Sequence, residues 1–271
     1  MKRIPPNKTP EETAIKICED YHTHSLKYVC DKYNVSEPTV IHIYQNHGYV
    51  KNKRKHKINE SYFSKIDTPN KAYILGFFMA DVCIGKTTKR QTFANRIMLN
   101  VSYKDRSMLE SMLQEFDSDI KIEDYIPKGS YSASMMSRFI INSMSMCKDL
   151  AMYSVVERRT PLKCIPDNLS NEMLPHFIRG LFDGDGCCTT HSKKNKTINF
   201  TSQSLTLLQQ LKDLFQSLGC ISVANIYPCG RNKNAYIIGW HYQEDIKIWY
   251  NYMYPQGQYL YLFRKREKFL T

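Results

Sequence analysis

The feature that most constrains the fold of this chain is an internal repeat of a short apolar segment. The first copy runs from Ile74 to Asp81 and the second from Ile178 to Asp185, so 104 positions separate each residue from its counterpart. A repeat fixes architecture before any single residue does, because each copy must occupy an equivalent place in a half-domain. The repeat therefore predicts equivalent positions for Asp81 and Asp185, an arrangement that suits divalent metal binding and phosphodiester hydrolysis.

Small residues recur four positions apart within each copy. Gly76 and Ala80 in the first copy correspond to Gly180 and Gly184 in the second. Residues at this spacing share one face of a helix, and small side chains there let two helix backbones approach closely. We therefore expect two apolar helices side by side, with an aspartate at the same end of each. For either copy alone, a buried helix with a solvent-exposed terminal aspartate is the alternative.

The composition is that of a basic chain without membrane or secretion signals. Lysine and arginine number 38 against 26 acidic residues, a formal charge of +12 that favours a polyanionic partner, although other basic proteins share it. The sequence lacks a long apolar run and a signal-peptide core. Its nine scattered cysteines form no CxxC pair, which is typical of reduced thiols. We expect a cytoplasmic monomer with no membrane partner.

Polar, helix-forming residues dominate the first part of the chain, through about residue 50. The pattern predicts three short helices, and the turn Asn34–Ser36 joins the last two. Two helices around a tight turn resemble a helix-turn-helix, whose second helix enters the major groove. On that interpretation Thr39, His42 and Gln45 face outward and contact DNA. The alternative is a three-helix bundle that packs on the rest of the chain and touches no DNA.

A basic segment, Lys51–Lys57, follows these helices, and five of its seven residues are lysine or arginine. Such a run is usually a solvated linker. Because this one lies between two candidate DNA-binding regions, we also expect it to contact phosphates in a salt-dependent, sequence-independent way. Its predicted DNA contacts are Lys53, Arg54 and Lys55.

Beyond each motif copy the hydrophobic period changes from that of a helix to that of a strand. Alternation predicts strands near 93–101, 131–142, 196–201 and 235–240, and helical spacing predicts helices over 107–116 and 205–218. Each half is thus expected to run helix, hairpin, helix, hairpin, helix. Basic residues on the strands and hairpin tips are candidate DNA contacts: Lys86, Lys89, Arg90, Arg96, Arg138, Lys193, Lys194, Lys196, Arg231 and Lys233.

The two copies resemble the motif of the LAGLIDADG homing endonucleases in their single-chain, two-motif form. The second copy keeps the motif's glycine, both aspartates and the trailing Gly186, whereas Met79 and Val82 replace the first aspartate and the last glycine in the first copy. The resemblance implies an α+β fold of two pseudo-symmetric αββαββα half-domains, residues 58–165 and 166–271. Together these would form a saddle over a DNA duplex, preceded by the small all-α region of residues 1–57.

The resemblance also implies roles for particular residues. Asp81 and Asp185 would bind magnesium or manganese. A basic residue near the end of each half, Arg159 and Lys265, would lie near the active site, where a lysine can polarise water and either side chain can stabilise charge on the phosphate. Gln203 matches a water-orienting position, and Tyr103 is its counterpart. The structural alternative for these last four residues is hydrogen bonding within the fold or contact with the DNA backbone.

The function predicted from these residues is site-specific cleavage of double-stranded DNA by a metal-dependent endonuclease of the intron-homing type. One alternative is a non-cleaving LAGLIDADG protein, either an RNA-splicing maturase with intron RNA as a partner or a transcription regulator. A second alternative assigns the specificity to residues 1–57 alone, as in a recombinase or repressor.

Overall fold

The computed structural model describes residues 9–47, 56–87, 94–127, 134–157, 160–192, 195–230 and 234–270. The chain forms two compact units that divide between Lys55 and His56. Within the described segments, no helix has the length and apolar character needed to cross a membrane.

The first unit consists of three helices, α1 (Glu11–Thr23), α2 (Leu26–Tyr33) and α3 (Glu37–Asn46). Ser25 and Ser36 begin the last two helices, because each hydroxyl accepts a hydrogen bond from a backbone N–H of the first turn. Between them Asn34 adopts the left-handed conformation, with φ of 50°, and Val35 is buried. Apolar side chains of all three helices form a separate core, so the three helices and the turn predicted from the sequence are present.

The second unit holds two four-stranded antiparallel sheets with helices packed against them. The helices are α4 (Pro69–Asp81), α5 (Arg106–Glu115), α6 (Met144–Met152), α7 (Leu174–Asp185), α8 (Leu205–Ser217), α9 (Gln243–Met253) and α10 (Phe263–Leu270). The strands are β1 (Cys83–Gly85), β2 (Arg96–Ser102), β3 (Glu123–Tyr125), β4 (Met136–Asn142), β5 (Gly186–Ser192), β6 (Asn195–Ser202), β7 (Ile226–Pro228) and β8 (Tyr236–Trp240). The sheet orders are β1-β2-β4-β3 and β5-β6-β8-β7.

Both halves have the predicted order of elements. The run from α4 to α6 and the run from α7 to α9 each follow αββαββα, which confirms the α+β class and the duplication. The chain then adds α10, whose counterpart in the described part of the first half is a single 3-10 turn, Thr160–Leu162.

Alternation along the strands separates a buried face from an open one. In β2, Ile97, Leu99 and Val101 are buried, and in β4, Phe139 and Ile141 are buried opposite them. The intervening residues are only half buried or exposed. Because successive side chains of a strand point to opposite faces, the helices cover one face of the sheet and leave the other to solvent.

The seam between α4 and α7 joins the halves, and glycine makes it possible. A Cβ atom added to Gly76 would lie 2.0 Å from the carbonyl oxygen of Phe177, and one added to Gly180 would lie 1.9 Å from that of Tyr73. No side chain fits at either distance, so the two helix backbones are in direct contact. The predicted pairing of small residues across a helix seam is therefore confirmed.

Candidate active site at the end of the helix seam

The two motif aspartates lie at the same end of the seam. Asp81 is the last residue of α4 and Asp185 the last of α7. A Cβ atom on Gly184, the neighbour of Asp185, would lie 3.3 Å from Oδ2 of Asp81. Val82 and Gly186 then turn into extended backbone, so each aspartate leads directly into the edge strand of its own sheet.

The electrostatics of the pair are those of two acids held close together. Desolvation by the surrounding protein, followed by the negative charge of Asp185, raises the pKa of Asp81 to about 6, while Lys163 and Lys265 oppose this rise. Like charges that share a site disfavour ionisation of both groups, and a bound cation relieves that penalty. The donor chemistry therefore suits a hard metal ion.

Lys163 is the site residue that sequence analysis missed. Its buried ammonium group donates to the carbonyl oxygen of Ala80 at 2.9 Å and to Oδ2 of Asp185 at 2.7 Å, so it ties the end of α4 to the carboxylate of α7. A signal was available, because Lys163 follows Asp81 by 82 positions and Lys265 follows Asp185 by 80. Arg159, the residue chosen from the sequence for the first half, lies outside the described residues and stays a prediction.

Lys265 lies on α10 and occupies the related place in the second half. Its buried ammonium group donates to the carbonyl oxygens of Phe182 at 2.9 Å, Asp183 at 2.5 Å and Gly186 at 2.8 Å. It also lies 3.2 Å from the carbonyl oxygen of Gly184, the counterpart of Ala80. The cation thus satisfies the free carbonyl groups at the negative end of α7, and burial lowers the pKa of Lys265.

Asp183, the first aspartate of the second motif copy, is held by hydrogen bonds within the fold. Asp183 is buried and accepts hydrogen bonds from the Tyr73 hydroxyl at 2.8 Å and from the backbone N–H of Leu262 at 2.7 Å. Burial raises its pKa to about 6, although these two bonds oppose the rise. Met79, its counterpart, is fully buried in the apolar core. The methionine of the first copy therefore stands at the position of Asp183 and not at that of Asp81, the predicted metal ligand.

Gln203 and Tyr103 occupy matching places in the two halves. Tyr103 follows directly after β2 and Gln203 directly after β6, each at the start of the turn that leads to the next helix. Tyr103 is exposed, whereas Gln203 is half buried. The roles assigned to Gln203 and Lys265 by resemblance stay predictions.

Two of the predicted DNA contacts do not face outward. Lys196 is 8% exposed, and its ammonium group donates to the carbonyl oxygen of Phe269 at 2.6 Å, so it caps the end of α10. Thr39 is 4% exposed, and its hydroxyl lies 2.8 Å from that of Ser36, the residue that caps α3. The expectation of a surface position was therefore wrong for both residues.

The remaining described candidates are accessible. His42 and Gln45 are exposed on α3, Lys86 is exposed beyond β1, and Arg96 and Arg138 are half buried on the open face of the first sheet. Other predicted contacts lie outside the described residues: Lys53, Arg54, Lys55, Lys89, Arg90, Lys193, Lys194, Arg231 and Lys233. Lys57, predicted to end the linker, pairs with Asp117 at 2.6 Å and thus belongs to the second unit.

Comparisons with known proteins bear on the family and the fold of the chain. Residues 172–252 match the family model described as a LAGLIDADG-like domain. The structure of the homing endonuclease I-WcaI bound to its DNA recognition sequence is similar with a TM-score of 0.52 and 18% identity, over 83% of this chain and 96% of that one. The structure of the LAGLIDADG meganuclease I-AabMI bound to uncleaved DNA gives a TM-score of 0.48 and 15% identity, over 75% of this chain and 88% of that one.

A curated relative was also found. A DNA gyrase subunit from Mycolicibacterium flavescens is 20% identical over 133 residues, or 48% of this chain, and the match spans only 24% of that protein's length. The structural match to I-WcaI is broader, since at 83% of the chain it includes both halves. Residues 172–252 are therefore similar to a LAGLIDADG-like domain, and the fold of the chain is similar to that of the homing endonuclease I-WcaI.

Proposed function

We propose that this protein is a site-specific endonuclease that hydrolyses both strands of double-stranded DNA with a divalent metal ion, magnesium or manganese. The observation that carries the proposal is the meeting of Asp81 and Asp185 at one end of a helix seam. Each carboxylate stands at the start of a sheet whose outer face is open, and the chain as a whole carries a charge of +12. A polyanion laid across both sheets would pass over both carboxylates.

The two aspartates fit magnesium better than they fit a metal ion that takes all of its ligands from the protein. Among the residues that the structure describes, no three or more His, Cys, Asp and Glu side chains cluster as a metal site. Magnesium commonly binds through one or two carboxylates and completes its coordination with water and substrate phosphates. Asp81 and Asp185 would hold the ion, which when bound would polarise the scissile phosphate and lower the pKa of a bound water.

The chain's own residues would complete the site around the phosphate. Lys163 brings a buried cation within 2.7 Å of Asp185 and thus orients that carboxylate. A fixed cation beside the two carboxylates would also stabilise the negative charge that develops on the phosphate in the transition state. Gln203 would orient the attacking water. In the described geometry Lys265 instead holds the end of α7, so its contribution would be to fix the position of Asp185.

We propose the three-helix unit as a second, separate DNA-binding element. Its turn and the exposed His42 and Gln45 on α3 fit a helix-turn-helix, and the basic segment beyond it fits phosphate contact. The full chain should then protect a longer DNA footprint than residues 58–271. The log of its DNA affinity should also fall more steeply with the log of the salt concentration than that of residues 58–271, because each phosphate contact adds nearly one unit of slope. Equal footprints and slopes would leave the unit a structural cap.

The test of the proposed function is cleavage mapping of the full chain on a randomised duplex DNA library with magnesium. Asp81→Asn and Asp185→Asn should each abolish double-strand cutting while leaving binding largely intact, since a lost metal ligand removes transition-state stabilisation. Asp213→Asn is the matched control, because Asp213 is an exposed carboxylate on α8 that bonds only to Gln209 among the described residues. Wild-type cutting by either motif variant, or binding without cutting by the wild type, would overturn the proposal.

A further inference from the structure

The open face of the first sheet presents an arginine that the surrounding side chains hold in one orientation. Arg138 of β4 lies directly opposite Asn100 of β2 on one side and Glu123 of β3 on the other. Cross-strand partners share a face, and Phe139, the next residue along β4, points into the core. All three side chains therefore lie on the solvent side of the sheet.

Three contacts fix the guanidinium of Arg138. Its Nε and Nη2 atoms each lie 2.9 Å from Oε2 of Glu123. Its Cζ atom lies over the Tyr125 ring, 4.6 Å from the ring centre, a cation–π contact that restrains the guanidinium. The Tyr125 hydroxyl in turn donates to Oδ1 of Asn100 at 2.9 Å. The arrangement spans three strands and leaves the edge of the guanidinium that carries Nη1 turned away from Glu123.

The edge of the guanidinium that carries Nη1 bonds to no side chain among the described residues, and its shape matches one base in particular. Two N–H groups of a guanidinium, side by side and in one plane, fit the O6 and N7 acceptors that guanine presents in the major groove. Stacking on Tyr125 reduces the side-chain entropy that Arg138 would lose on binding. An arginine ordered before the DNA arrives is therefore suited to discriminate between bases.

The paired carboxylate argues against a phosphate as the partner of Arg138. Glu123 is more than half exposed, so a phosphate approaching the guanidinium would also meet its negative charge. A base edge carries no net charge and avoids that repulsion. A carboxylate can in addition accept a hydrogen bond from the amino group of cytosine, which faces the same groove as guanine.

We propose that Arg138 reads a guanine in the target DNA, with Glu123 and Tyr125 as its positioning residues. The inference rests on the proposed function, since it assumes that the duplex lies on the open sheet faces. It also predicts an asymmetric target. The described open-face positions of the central strands of the second sheet are uncharged, namely Thr197, Asn199, Thr201, Ile237 and Gly239, so they offer no equivalent guanidinium fork.

The molecule supplies a matched control on the opposite face of the same sheet. Arg106 of α5 pairs with Asp124 through Nε at 3.2 Å, and Asp124 is the residue after Glu123 in β3. Asp124 also accepts a hydrogen bond from the buried Ser137 at 2.6 Å, which places it on the helix side. Arg106 is thus paired with a carboxylate of β3, as Arg138 is, but Arg106 lies on the helix side and cannot reach DNA on the open face.

The experiment is a binding selection with full-length protein on a randomised duplex DNA library in the absence of catalytic metal. Affinities for every single-base change of the selected site are then measured at several salt concentrations. The wild type should select a guanine that Arg138→Gln no longer requires, with a loss of preference at that position of roughly 5- to 150-fold. Preference elsewhere and the salt slope should hold, and Arg106→Gln should match the wild type.

Two results would overturn the inference alone. An unchanged base profile in Arg138→Gln would remove the base contact, and a uniform loss of affinity with a salt slope lower by about one unit would identify a phosphate contact instead. Arg138→Lys keeps the charge without the fork and should show the same local loss, which guards against a folding defect in the glutamine variant. A wild type that selects no sequence would overturn the proposed function as well.

Discussion

Replacing Gly180 by alanine tests the helix seam directly. The new Cβ atom would lie 1.9 Å from the carbonyl oxygen of Tyr73 and 2.8 Å from the backbone nitrogen of Phe77. Non-bonded heavy atoms need about 3.5 Å, so α4 and α7 must separate by roughly 1.5 Å at this point. Both obstructing atoms belong to the backbone, which cannot rotate away as a side chain can.

The expected cost follows from two opposing effects. Overpacking of a tight interior costs about 1 to 3 kcal/mol, and the rigid backbone places this case at the upper end. Alanine in place of glycine favours a helix by about 1 kcal/mol. We therefore expect Gly180→Ala to lower the free energy of unfolding of the second unit by about 2 kcal/mol. The same separation moves Asp81 away from Asp185, so the rate of DNA cleavage should fall even under conditions in which the variant is fully folded.

Urea unfolding followed by tryptophan fluorescence measures the stability of the second unit alone. Both tryptophans of the chain, Trp240 and Trp249, are buried in the second unit, so the signal excludes the three-helix unit. Gly85→Ala is the control, because no atom of the described residues lies within 4 Å of its added Cβ. If Gly180→Ala unfolds at the same urea concentration as the wild type and cuts DNA equally well, the direct contact of the two backbones is refuted.

Three other outcomes are expected. His176 is buried and accepts a hydrogen bond from Arg179 at 2.8 Å, and burial lowers its pKa to about 4. Between pH 7 and 5 the unfolded chain therefore binds a proton that the folded chain does not. Over this range the wild type should lose about 2 kcal/mol of unfolding free energy relative to His176→Asn. Equal pH profiles in thermal unfolding would contradict this. Arg264→Ala should lower the free energy of unfolding by about 1 to 2 kcal/mol, because it removes both hydrogen bonds that Arg264 donates to the buried Asp105. The half exposure of Arg264 screens the pair and keeps the cost at this level. The Asp105→Asn, Arg264→Ala double variant should recover part of the loss in urea unfolding. Lys163→Met should slow DNA cutting by roughly 100-fold with little change in binding, and a rate equal to the wild type would remove Lys163 from the site.

The parts of the fold that the sequence predicts are those with local or repeated signals. The seam follows from small residues four apart in both copies, and the central strands and α8 follow from their periods. Boundaries differ by a few residues; β4, for example, begins at Met136 rather than near residue 131. The bonds that shape the site are harder to predict, because Lys163 lies in an irregular segment and acts across more than 80 residues of chain.

The inward position of Lys196 was contained in the sequence pattern. Lys196 has the same parity along β6 as Ile198 and Phe200, both of which are buried. Strand alternation thus places Lys196 on the core side. Its charge suggested a surface position, but a long side chain near the edge of the core can reach a helix end, here the carbonyl oxygen of Phe269.

The hydrogen bond between Tyr73 and Asp183 has a consequence for the independence of the two halves. The counterpart of Tyr73 in the second copy is Phe177, which has no hydroxyl, and the counterpart of Asp183 in the first is Met79, which has no acceptor of comparable strength. A homodimer of the first half would therefore bury the Tyr73 hydroxyl without its acceptor, and one of the second half would leave Asp183 with the Leu262 N–H but without the hydroxyl. Each lost bond costs about 1 to 3 kcal/mol. The bond therefore favours the joined halves over a homodimer of either one, and a chimera that replaces one half needs the matching tyrosine or aspartate at the same position of the new half.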